Sequence, residues 1–95
     1  MDLNEITKIL QDLKPIIRKY KGEIVGICGS YARDEHKESS DIDILVKFDK
    51  DASLFDLVAI ANLIEDRIGI KVDIIPIDTI REEIRDEMLK EAIYL

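Results

Sequence analysis

The sequence predicts an α/β fold of the α+β kind, a small mixed β-sheet flanked by helices, on three observations. Apolar residues recur at steps of three and four in three stretches; short aliphatic runs lie between them; and the order of the two patterns is helix, strand, strand, helix, strand, helix. With 95 residues the chain has room for one domain, 1–95, built on one core.

The first helix is expected over 3–20, where Leu3, Ile6, Ile9, Leu10, Leu13, Ile16, Ile17 and Tyr20 share a face, and Asp2 with Glu5 forms a capping box at its start. Pro15 should kink it or begin a second helix, because proline removes a backbone donor. Gly22 ends the helical part, and "EIVGIC" (23–28) is the first strand. The polar stretch 31–38 has room for one or two helical turns. "SDIDILVKF" (40–48) is the second strand, with Ile42, Ile44, Val46 and Phe48 on one face and Asp41, Asp43, Leu45 and Lys47 on the other. After a turn at 49–53, Ser53 caps a helix carrying Leu54, Leu57, Val58, Ala61, Ile64 and Ile68, which Gly69 stops. "IKVDIIP" (70–76) is the third strand. A last helix is expected from Thr79 to the end, with Thr79 and Glu82 as its capping box.

Composition narrows the function. Hydrophobic residues make up 46% and charged residues 37%, which suits a folded globular unit, and the abundance of Ile, Glu and Lys resembles thermophile composition. No apolar run is long enough to span a bilayer, and "MDLNEITKIL" lacks the pattern of a signal peptide, so a cytoplasmic location without a membrane partner is expected. A net charge of -7 argues against free nucleic acid as a partner, since gripping its phosphates relies on a basic surface. One cysteine, Cys28, and one histidine, His36, exclude an internal disulfide and a Cys/His zinc set. Any metal would have to be held by oxygen.

Oxygen ligands are where the sequence departs from a plain strand. Asp41 and Asp43 are two apart, so they share a strand face with Cα atoms roughly 6.5–7 Å apart. Like charges so placed repel unless solvent or a cation lies between them. Asp73 sits mid-strand, where aspartate is disfavoured, and converges with the pair if the two strands are neighbours. Such a cluster suits Mg2+, and two ions ~3.5–4 Å apart would clamp a phosphoryl displacement. An Asp-x-Asp triplet alone is weak: a second one, Asp49 and Asp51, lies in a turn. Placement on an apolar strand, with Asp73 mid-strand and Gly29-Ser30 upstream where backbone N–H groups can meet a phosphate, distinguishes the first.

Gly29-Ser30-Tyr31-Ala32-Arg33, then Ser40-Asp41-Ile42-Asp43-Ile44-Leu45-Val46, then Val72-Asp73 resembles the nucleotidyltransferase superfamily related to DNA polymerase beta, and within it the minimal nucleotidyltransferases. The resemblance implies the nucleotidyltransferase fold. It also implies that Asp41, Asp43 and Asp73 form the catalytic metal site for Mg2+, with Asp73 helping to activate the acceptor hydroxyl, and that Gly29 and Ser30 hold the phosphates of ATP; Arg33 is a candidate phosphate contact beside them. The implied reaction moves AMP from ATP to a hydroxyl and releases pyrophosphate. The implied partner is a HEPN-domain toxin, for which this chain is the antitoxin, with a toxin tyrosine as acceptor. Asp34 departs from the family pattern, which usually has Gly there; it either approaches the nucleotide or caps the next turn.

The alternative is an antitoxin of the same fold that neutralises by contact alone, its acidic site vestigial. A transferase for a small molecule is disfavoured, since no second domain is available to build a substrate pocket. Tyr31 packs on a base or on a helix, Cys28 is a small buried residue and His36 a surface one. The apolar end, Ile93, Tyr94 and Leu95, with the exposed flank of the last helix, is the expected docking surface for a macromolecular acceptor.

Overall fold

In the computed structural model, which describes residues 1–37 and 39–95, Asp2 opens the first helix by accepting the Glu5 N–H at 2.9 Å. Helix α1 spans Leu3–Arg18 and buries Ile6, Leu10, Leu13 and Ile17, the stripe expected from their spacing. No second helix begins at Pro15. Both Pro15 and Gln11 face solvent, where water can take the carbonyl that the missing N–H leaves free. The chain reverses through Lys21, whose φ of 63° is left-handed, and Gly22 belongs to the strand rather than to the end of the helix as expected.

Strand β1 (Gly22–Cys28) pairs antiparallel with β2 (Ile42–Phe48), and β2 pairs parallel with β3 (Val72–Pro76). The register of β1 shifts between Ile24 and Gly26, so that Ile24 and Ile27, an odd number of residues apart, both reach the same core. Helix α2 (Leu54–Ile68) lies between β2 and β3 in the chain, the crossover that a parallel pair needs. The Ser53 N–H donates to the Asp56 carboxylate at 2.9 Å at its start, and Gly69 at φ 71° ends it.

The buried stripe of α2 is Ile60, Ile64 and Ile68. The expected face through Leu54 and Val58 is instead open, Leu54 being 73% exposed. The opening of this helix is apolar on nearly every side, so its periodicity does not select a face.

The C-terminal segment differs most from expectation. After Pro76 the chain makes a 3₁₀ turn at Ile77–Thr79, in which the Thr79 hydroxyl donates to the Pro76 carbonyl at 2.8 Å instead of capping a helix. Helix α3 spans Glu82–Glu91, and the chain then leaves helical structure to form strand β4 (Ile93–Tyr94), antiparallel to β1. A Cβ at Gly26 would lie 2.4 Å from the Ile93 carbonyl oxygen, so the close approach of β4 requires glycine there. Ile93 and Leu95 pack on the core, and Leu95 donates to the Val25 carbonyl at 3.1 Å. The expected docking end is thus largely committed to the sheet.

The finished sheet has the order β3-β2-β1-β4. One face, carrying Ile24, Ile27, Ile42, Ile44 and Val46, is covered by α1 and α2; the other holds a smaller cluster of Cys28, Leu45 and Ile80, to which Met88 and Leu89 of α3 add. Asp43, the neighbour of the fully buried Leu45 on that second face, therefore stands at the margin of a covered surface. Among the described residues, no helix is long and apolar enough to cross a membrane.

Candidate active site

Strand pairing does most of the assembly. Cys28 at the end of β1 is opposite Asp43, and Asp43 is in register with Asp73 on β3. Asp41, one residue before β2, lies on the Asp43 side of the strand by the period of two. The two expected strands are thus neighbours, and the condition for convergence of the carboxylates is met. Asp43 is half-buried and Asp73 exposed.

Gly29 follows Cys28 directly and turns at φ 72°; a Cβ there would fall 2.1 Å from Oδ2 of Asp43. The left-handed conformation disfavours a side chain there, and one could enter only if the Asp43 carboxylate moved away. The chain then closes a single turn, within the one or two expected over 31–38: Arg33 N–H donates to the Gly29 carbonyl at 3.1 Å and Glu35 N–H to the Ser30 carbonyl at 2.8 Å. Glu38, the last residue of that expected stretch, lies outside the described residues. Asp34, within the turn, has φ 57°. That conformation favours glycine, which accounts for the residue type the family pattern has at this place.

Burial first, and then the Asp73 and Asp41 carboxylates, push the Asp43 carboxyl above its ordinary 3.8, while the Arg33 guanidinium pulls the other way. Asp43 is consequently a half-buried carboxylate short of positive charge, walled on one side by a glycine. This donor set fits a hard divalent cation, which prefers carboxylate oxygen. Among the described residues, no three His, Cys, Asp or Glu side chains enclose a common point as a finished metal site would. An ion held by Asp41, Asp43 and Asp73 would complete its shell with phosphate oxygens and water, the usual habit of Mg2+.

Arg33 is engaged elsewhere. Its guanidinium meets the Glu35 carboxylate at 3.1 Å and that of Glu91, at the end of α3, at 3.5 Å. To reach a phosphate it must exchange these partners. Burial, with Asp43 adding to it, pushes the Cys28 thiol up to about 11, so this cysteine is a packing residue and not a thiolate. Lys47 lies opposite Glu23, four residues along β2 from Asp43, and has no place in the site.

Sequence reasoning left Tyr31 open and assigned His36 to the surface. The structure buries Tyr31 and stacks His36 on it, with ring centroids 4.0 Å apart and planes at 7°. Two cavities meet at His36: one of about 610 Å³ lined by Met1, Asp2, Leu3, Asn4, Asp34 and His36, and one of about 330 Å³ lined by Met1, Tyr31, His36, Lys37 and Ile70. Only closure of the turn brings these rings together, so their spacing carried no signal.

A Gly-Ser turn in contact with an Asp-x-Asp strand, and a third aspartate in register on the parallel neighbour, define a nucleotidyl-transfer class of protein. Comparison with known proteins agrees: residues 3–95 match the nucleotidyltransferase domain family, and the chain belongs to it, in the minimal form. It is 34% identical over 96 residues to the protein adenylyltransferase MntA of Thermococcus cleftensis, covering 100% of this chain and 97% of that one. It is 41% identical over 95 residues to MJ1217 of Methanocaldococcus jannaschii, provisionally named a protein adenylyltransferase, covering 98% and 97%. A solved structure provisionally described as a minimal nucleotidyltransferase superposes with a TM-score of 0.87 at 30% identity, over 100% of this chain and 97% of the other. A toxin-antitoxin crystal structure with AMP-PNP superposes with a TM-score of 0.70 at 19% identity, over 94% and 70%, and shares the fold.

Proposed function

We propose that this nucleotidyltransferase carries AMP from ATP, with Mg2+, to a tyrosine hydroxyl of a partner toxin of the HEPN class and so acts as its antitoxin. The observation that carries the reading is the alignment of Asp43 with Asp73 across the parallel ladder, with Gly29 pressed against Asp43. The names of the relatives supply protein as the acceptor class.

Gly29 and Ser30 offer the turn that receives the triphosphate, and Arg33 stands beside it to neutralise phosphate charge. Asp41, Asp43 and Asp73 would hold the metal, which when bound offsets the charge of the phosphates and of the departing pyrophosphate. Asp73, exposed at the sheet edge, is the carboxylate that an incoming hydroxyl can reach, and it takes the tyrosine proton as the oxygen bonds to the α-phosphorus. The bond from that phosphorus to the bridging oxygen breaks, and pyrophosphate leaves.

The test is incubation with ATP labelled at the α-phosphate and a candidate HEPN-class toxin from the same genome. Label on a toxin tyrosine, lost with Asp43→Asn, is the expected result. The engagement of Arg33 by two carboxylates favours the second reading, an antitoxin that acts by contact alone. A stable complex that silences the toxin with no label anywhere would establish that reading instead.

A further inference from the structure

We infer that the open face of the His36 ring, backed by Tyr31, is the stacking platform for the nucleobase of the bound nucleotide. The inference deepens the function proposed above and rests on its nucleotide reading.

Tyr31 is 6% exposed and belongs to the core beneath α1, so it cannot swing out to meet a ligand. His36 is exposed, and its ring lies parallel to that of Tyr31 at 4.0 Å. One face of the imidazole is thereby covered and the other left open. A preformed aromatic pair of this kind binds a further flat ring without having to order a side chain first.

Location supports a base over any other flat group. Tyr31 directly follows Ser30, and the Glu35 N–H to Ser30 carbonyl bond draws His36 back beside the phosphate turn. The ring pair is therefore within one nucleotide's reach of the turn. Both cavities that meet at His36 fall within the range of about 300–1,000 Å³ usual for small-molecule sites. Asp2 and Asp34 line the larger one and repel a triphosphate but not an uncharged base, whereas at Asp41, Asp43 and Asp73 the phosphates would be received with Mg2+ between the like charges. The orientation follows: phosphates toward Gly29 and Asp43, base toward His36. In the smaller cavity, Ile70 adds an apolar wall and Lys37 a cation beside the ring.

Calorimetry in Mg2+ buffer with two probes, ATP and inorganic tripolyphosphate, separates the base from the phosphates. Stacking on one aromatic ring predicts that His36→Ala weakens ATP by about tenfold or more and leaves tripolyphosphate unchanged, and that His36→Phe restores ATP. Equal affinity of wild type and His36→Ala for ATP overturns the platform, as does equal loss of both probes, which would mean that His36 only holds the turn. Wild-type binding of both probes with equal affinity also overturns it while sparing the phosphate site. Binding of neither probe by wild type defeats the nucleotide reading itself, and the platform with it.

Discussion

Asp43 and Asp73 are register partners on adjacent parallel strands, one half-buried and the other at the exposed edge. A sheet built only for stability would put β-branched residues at such a pair, because like charges directly opposite destabilise. The fold tolerates the repulsion at the margin of the α3-covered face, next to a glycine that cannot shield it.

Replacing Asp43 by Asn should raise the melting temperature without metal at pH 7 and lower transfer at least about a hundredfold. The pH dependence follows from the direction of the shift. The folded state holds the Asp43 proton more tightly than the unfolded chain, so this residue costs stability as pH rises from near 3.8 through its raised value, and fully above it. The gain from Asn should therefore vanish below about pH 4. Thermal melts from pH 3 to 8 check this, and a destabilised Asn variant at pH 7 would mark Asp43 as a satisfied structural group.

Gly29→Ala meets two penalties. The left-handed φ costs an L-residue about 1–2 kcal/mol, and the new methyl displaces the Asp43 carboxylate, which can rotate away. Activity should fall far more than stability. Urea denaturation and transfer assays on the same sample separate the two, and equal proportional losses would contradict this reading of the contact.

Asp34→Gly should stabilise the protein by up to about 1 kcal/mol, since it removes a side chain from a left-handed position. Transfer should be unchanged or higher. Chemical denaturation midpoints test the first statement; a loss of stability would mean that the Asp34 carboxylate contributes more than its backbone costs.

Much of this site was legible because it breaks local rules. Two aspartates on an aliphatic strand share a face by the period of two, and a third at mid-strand stands out in the same way. What local pattern could not supply was adjacency: that Asp73 falls opposite Asp43 depends on β2 pairing with β3 in one register. The same limit explains the errors. Ile93 continues the helical period of Ile84, Met88 and Leu89, and only the open edge of β1, with Gly26 to admit it, turns that end into a strand. At the start of α2, where Leu54 and Phe55 are apolar yet exposed, the buried face is chosen by the sheet and not by the helix.

Removal of residues 93–95 should therefore act on stability before it acts on partner binding. It strips β4 from β1 and takes two partly buried aliphatic side chains from the core, a loss of about 2–4 kcal/mol. Equilibrium urea unfolding measures it. An unchanged midpoint would return these residues to the role of a free docking end.

Arg33 links the Gly29-Ser30 turn to the end of α3 through Glu91, a partner that any phosphate there would have to displace. Each ion pair is exposed, so neither holds the guanidinium strongly, and about 0.2–1 kcal/mol is typical of such a contact. Glu91→Gln should then free Arg33 and tighten Mg-ATP by up to about fivefold, with the gain shrinking at high salt, where the pair is already screened. Arg33→Ala should weaken ATP and abolish the effect of Glu91→Gln in the double variant. Calorimetry on the four proteins completes the cycle. If the two substitutions act independently, Arg33 serves only to tether the turn to α3, and the phosphates are held without it.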